Sequence, residues 1–244
     1  MNTRIALATV RRVLVQLRHD HRTVALMLAF PTVLMVILRF VFNSDERFGG
    51  IAPALLGIFP FTVMFLVTSV STLRERRGGT LERLMTMPMG RGDFLIGYGV
   101  GFSLLAVVQV AIVSAVTMTW LGLDVAGSVW VLLLIALLDA LLGTALGLGV
   151  SAFARTEFQA VQFLPVVVLP QVLLCGLFTD RGQMAPVLEA ASNVLPLTYA
   201  VEAVQIVTRQ AEATAELWID VAVVLGSSVL ALTLGALTLS RQSR

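Results

Sequence analysis

An all-α integral membrane fold with six transmembrane helices is the class this sequence predicts, and three observations carry it: composition, apolar runs and the distribution of basic residues. Of its 244 residues, 57% are hydrophobic and only 13% charged, with a mean hydropathy of +0.91. A soluble domain carries about 25% charged residues. A helix rising about 1.5 Å per residue needs about 20 apolar residues to cross the hydrocarbon core, where unpaired backbone groups are not tolerated. Six stretches meet that length, at about 23–42, 51–73, 94–121, 128–153, 159–178 and 217–239. Most connections are short, so residues 1–244 read as one transmembrane domain of antiparallel neighbours, while 179–216 is long and weakly apolar.

The amino end, 1–22, precedes the first span. Its charges extend to Arg22 instead of preceding a short apolar core, which argues against a cleavable signal. On a helical wheel Leu7, Val10, Val13, Leu14 and Leu17 share one side, with Arg4, Arg11, Arg12, Arg18 and Arg22 on the other. That sorting predicts a helix lying in the headgroup layer, since a disordered basic tail would not separate the two classes by angle.

Between the second and third spans lies the charged segment 74–93. Gly78 and Gly79 break the helix leaving the second span, Thr80 can cap a new one, and Pro88 stops it or shortly precedes its end, predicting about two turns of helix. Leu81, Leu84 and Met85 form a small apolar face beside Glu82 and Arg83, suited to a groove on a partner protein. An ordinary basic loop would account for the charge but not for the diglycine, the cap and the apolar spacing together.

All 17 basic residues are Arg. With both termini cytoplasmic, thirteen fall inside and only Arg47, Arg181 and Arg209 outside, with Arg39 near the outer end of the first span; the positive-inside rule favours this orientation.

The run Glu75-Arg76-Arg77-Gly78-Gly79-Thr80-Leu81-Glu82-Arg83-Leu84, followed by Met87-Pro88, resembles the cytoplasmic signature of ABC-2 type transporter permeases, the membrane subunits of drug exporters (daunorubicin-resistance permeases among them) and polysaccharide exporters. A second segment, Leu195-Pro196-Leu197-Thr198-Tyr199-Ala200, resembles that family's stretch before the last span. Arg77 stands where many members have an acidic residue, making this hinge more basic. The resemblance implies that 1–22 is an elbow helix and that 74–93 contains a coupling helix, on which Glu75, Arg76, Gly79, Thr80, Leu81, Glu82, Arg83, Leu84 and Met85 meet an ATPase partner. It also implies that 179–216 is partly re-entrant on the outer side, with Pro196, Leu197, Thr198 and Tyr199 as its signature. The implied assembly has two permease chains, identical or related, and two ABC ATPase subunits using ATP and Mg, in the cytoplasmic membrane of a bacterium.

The chain has no Lys, so it cannot supply the phosphate-cradling loop that ends in Lys and Ser or Thr, and energy must enter from a partner. We expect no catalytic residue, metal site or cofactor of its own: His19 and His21 lack further ligands, Cys175 stands alone, and no basic aromatic surface suggests nucleic acid. The Gly97/Gly101 and Gly143/Gly147 pairs allow close helix approach, within the chain or at a dimer seam. Pro31, Pro60, Pro165 and Pro170 should kink their spans. Asp139 sits mid-span, where a carboxylate is expensive, and is either a substrate or proton site or a protonated or hydrogen-bonded structural residue. The exporter reading names an apolar or amphipathic cargo, and the alternative is a proton-coupled carrier using Asp139.

Overall fold

The computed structural model describes residues 3–78 and 91–241, and every regular element in them is helical. In chain order these are α1 (Thr3–His19), α2 (His21–Phe42), α3 (Asp45–Arg77), α4 (Arg91–Thr119), α5 (Val129–Ser151), α6 (Glu157–Phe163), a π-helical turn (Leu164–Val168) and α7 (Leu169–Leu174). A 3₁₀ turn (Arg181–Gln183), α8 (Pro186–Ser192), α9 (Pro196–Arg209) and α10 (Ala215–Arg241) complete the order. Six of the described segments are long and apolar enough to cross a membrane, with α6, the π turn and α7 together forming the fifth. The predicted two-turn helix after Gly79 lies outside the described residues.

Two spans differ from expectation. The second starts at Asp45, upstream of residue 51, because Ser44 caps the helix by accepting from Arg47 N at 3.4 Å and Asp45 and Glu46 suit its positive N-terminal end. The fifth ends at Leu174, short of residue 178. It is interrupted where Pro165 and Pro170 remove backbone donors, and Gly176, at φ +87, turns the chain away.

α3 is the central helix. In its most apolar stretch 72% of residues are buried, against 17% in α2 and in the fifth span and 22% in α10, whose outward Leu, Val, Ile and Phe side chains suit lipid. Its closest neighbour is α5, and glycine explains the approach: a Cβ on Gly143 would lie 2.2 Å from the Phe61 carbonyl oxygen, and one on Gly147 2.5 Å from that of Phe65. This pair therefore serves packing within the chain. Gly101 does the same for α4 against α1, where a Cβ would meet Val13 at 2.9 Å. One apolar cluster joins α3, α5, α9 and α10; a second joins α1, α2, α3 and α4 around Met64, Tyr98 and Phe102.

Candidate functional site

Successive residues at the end of α3 point about 100° apart, so Arg74, Glu75 and Arg76 reach three different neighbours. Glu75 is 7% exposed and turns toward α1 and α4, where Arg12 Nη2 donates to Glu75 Oε2 and to the Tyr98 hydroxyl, each at 2.6 Å. The Arg12 guanidinium also lies 5.9 Å from the Tyr98 ring centroid. Arg74 points to α6, with Nε and Nη2 donating to the two carboxylate oxygens of Glu157 at 2.9 Å each, and Nη1 lying 3.8 Å from Asp20 Oδ2. Arg76 donates to the Ser151 carbonyl at the end of α5. The last turns of α3 are thus tied to the ends of the surrounding elements immediately before the hinge.

The partners are themselves fixed by caps. Thr156 begins α6 by accepting from Gln159 N at 3.1 Å, and Gln159 Oε1 in turn accepts from Arg155 N at 2.8 Å. Asp20 begins α2, with one oxygen accepting from Thr23 N at 3.1 Å and the other from the Thr23 hydroxyl at 2.6 Å. These Thr23 bonds, aided by Arg74 and Arg22, hold the Asp20 carboxyl below its ordinary range.

The helical wheel assigned Arg12 to the water-facing side of α1. The structure corrects this, because packing against α4 buries Val13 and carries Arg12 into reach of Glu75 and Tyr98. Of the residues assigned to the ATPase contact, Glu75 and Arg76 are engaged within the chain, while Gly79, Thr80, Leu81, Glu82, Arg83, Leu84 and Met85 lie outside the described residues. Glu157 and Asp20 were missed as partners of Arg74. The Thr-x-x-Gln run at Thr156 signals the start of α6, but nothing in the sequence signals the pairing.

Deeper in the bundle, Asp139 is fully buried in the seam of α3, α5 and α9. A Cβ on Gly57 would lie 3.1 Å from Asp139 Oδ2 and 3.8 Å from Val201, and neither carboxylate oxygen has a hydrogen-bond partner among the described residues. Arg39 is occupied elsewhere: it binds Asp45 and donates to the Leu121 carbonyl at 3.2 Å, with its guanidinium 5.8 Å from the Phe48 ring centroid.

At the opposite end from the hinge, Pro196 opens α9, where a missing N–H costs nothing, and Leu197 and Thr198 are buried. Leu197 N donates to Gln171 Oε1 at 3.4 Å, Thr198 Oγ1 lies 3.3 Å from Ser192 Oγ, and the Tyr199 hydroxyl donates to the Asn193 carbonyl at 2.7 Å. Arg181 stacks 5.1 Å from the Tyr199 ring centroid and binds Glu202, whose carboxyl burial nevertheless pushes up. Arg181, Glu202, Thr198 and Cys175 help line a polar cavity of about 330 Å³. The four signature residues therefore start one helix and tie it to α7 and α8.

The ABC-2 type transporter family matches residues 3–208. Among curated relatives, ABC transporter G family member 20 of Dictyostelium discoideum is 24% identical over 83% of this chain and 28% of its own length. The probable multidrug ABC transporter permease YbhS of Escherichia coli is 27% identical over 72% of this chain and 47% of its own length. The inner membrane transport permease YhhJ of Escherichia coli is 27% identical over 69% of this chain and 45% of its own length. The chain thus spans less than half the length of these relatives. With a family match running from α1 through α9 and six apolar helices in one bundle, the chain belongs to the ABC-2 type transporter family.

Proposed function

We propose that this chain is the membrane permease of an ATP-driven exporter that moves an apolar or amphipathic molecule, such as a drug, lipid or lipid-linked glycan, out of the cytoplasm. The observation that carries the reading is the end of α3: a central helix tied through Glu75 and Arg76 to its neighbours, running straight into the 79–90 hinge. A push on that hinge would be delivered to the core of the bundle, not dissipated in a loop. In this reading the hinge carries the coupling helix, with Thr80, Leu81, Leu84 and Met85 against an ABC ATPase subunit, and ATP and Mg are used there.

Two ATPase subunits and a second permease chain complete the assembly. Both termini and the hinge face the cytoplasm of a bacterium, α1 is the elbow in the headgroup layer, and α8 and α9 are the re-entrant helices on the outer side. The names of the Escherichia coli relatives support a transport permease.

The test is reconstitution of this chain with its ATPase in vesicles. Uptake of a fluorescent amphiphile should need ATP and stop when the partner cannot hydrolyse it. Asp139→Asn should leave ATP-driven uptake within about twofold of the parent, because the side chain is fully buried and an amide has nearly the same shape as a carboxyl. Uptake by this chain alone down a proton gradient, abolished by Asp139→Asn, would establish the carrier alternative instead.

A further inference from the structure

A groove of about 490 Å³ lies on the outer face of α3 between α2 and α6, walled by Leu26, Phe30, Val63, Val67, Val161 and Leu164. Its volume falls within the range of roughly 300–1,000 Å³ common to small-molecule sites. Along α3 the lining runs from Thr62 to Arg74, about 18 Å of helix, which is a little over half of a hydrocarbon core about 30 Å thick. The groove is therefore one leaflet deep, on the side of the hinge. Its walls are apolar and its hinge-side end is charged, the same profile that an inner leaflet presents from tails to headgroups.

Arg74 lines the groove and is the residue that ends it, held across the gap by the two oxygens of Glu157 at 2.9 Å and by Asp20 at 3.8 Å. Two features set this contact apart from the Arg12–Glu75 pair beside it. The Arg74 and Glu157 side chains are 50% and 49% exposed, so water competes for both, whereas Glu75 is 7% exposed. The Glu157 pair also joins two spans across an opening, while Arg12 joins α1 to a packed face. An exposed ion pair contributes little to holding a fold together and breaks readily, which suits a contact that must open. Arg74 is one helical turn from Gly78, where α3 gives way to the hinge.

We infer that the Arg74–Glu157 pair is a latch across the hinge-side end of this groove, broken when the hinge moves α3, and that its opening admits the apolar part of an amphiphile from the adjoining leaflet. The inference rests on the permease reading above. It assigns Arg74 and Glu157 a gating role that neither the family match nor the relatives' names specify.

The test uses the chain in complex with its ATPase in lipid vesicles, with Cys175, the only cysteine, changed to Ser. Arg74→Cys with Glu157→Cys, bridged by a short bifunctional thiol reagent, should cross-link in the nucleotide-free complex and several-fold less when ATP and vanadate trap the motor. Equal cross-linking in both states, with ATP still hydrolysed, overturns the latch and leaves the permease reading standing. Absence of any bound ATPase overturns that reading and the latch with it.

A second measurement does not depend on the double-cysteine variant folding. Val67→Cys should react with N-ethylmaleimide several-fold faster in Arg74→Glu or Glu157→Arg than in the parent, and combining both reversals should restore slow labelling. Labelling unchanged by the single reversals, or not slowed by the combination, overturns the latch.

Discussion

Glu75 illustrates how much one side chain at the end of α3 decides. It accepts from Arg12 while only 7% exposed, so truncation would leave a guanidinium facing Tyr98 without its counter-charge. Removing one partner of a fully buried pair costs about 3–5 kcal/mol, and because Arg12 is 31% exposed we expect Glu75→Ala to destabilise by about 1–3 kcal/mol. Thermal unfolding of the purified chain in detergent, with Tyr98→Phe as the milder comparison, measures this.

Asp20 provides the pH-dependent counterpart. Its Thr23 bonds depress the folded carboxyl, so its stabilising contribution is complete above the unfolded Asp value of about 4 and is lost as pH falls through the lower folded value. Melting temperature should therefore fall on acidification below about pH 4, and Asp20→Asn, which keeps a capping oxygen but cannot titrate, should flatten that part of the profile. An identical acid slope in the variant would remove Asp20 from the account.

At the scale of elements, the α3–α5 seam is governed by glycine. Gly143 and Gly147 sit where a methyl group would strike the Phe61 and Phe65 carbonyl oxygens, and backbone cannot move aside as a flexible side chain can. Gly143→Ala and Gly147→Ala should each cost about 1–3 kcal/mol and lower the yield of folded protein in membranes. On the same helix a Cβ on Gly149 would meet nothing nearer than the Ala231 carbonyl oxygen at 4.0 Å, so Gly149→Ala should be neutral or slightly stabilising, since glycine in a helix costs about 0.5–1 kcal/mol relative to alanine. Size-exclusion profiles and melting curves of the three variants check the contrast. The sequence marked both glycines by their spacing but left open whether they served the chain or a dimer. Which face met α3 depended on the rotation of α5, a property of the assembled bundle.

The whole molecule is polarised, with the ties around Arg74, Glu75 and Arg76 at one end and the α8–α9 region with Arg181 and Glu202 at the other. If the positive-inside distribution sets orientation, Arg155→Cys should react with a membrane-impermeant maleimide only from the cytoplasmic side and Arg209→Cys only from outside, in a Cys175→Ser background. Labelling of both from one side would contradict the proposed topology. Much of this architecture was legible beforehand: composition dictated the solvent, apolar run length located six spans, and the hinge and α9 segments carried the family resemblance. Less legible were the start of α3 at Asp45 and the break in the fifth span, where a cap and two prolines acted locally on long apolar runs.

Taken alone, the sequence determined that this chain lives in a bilayer, how many times it can cross, and to which family it belongs, because hydrophobic length and local motifs are properties of contiguous residues. Only the tertiary structure decided that Arg12 turns inward to Glu75, that Arg74 reaches Glu157, and that Asp139 is sealed against Gly57. Those partners lie 63, 83 and more than 80 positions apart in the chain. The rotation and depth of each helix, fixed by packing, bring them together; no periodicity in one segment encodes what faces it from another.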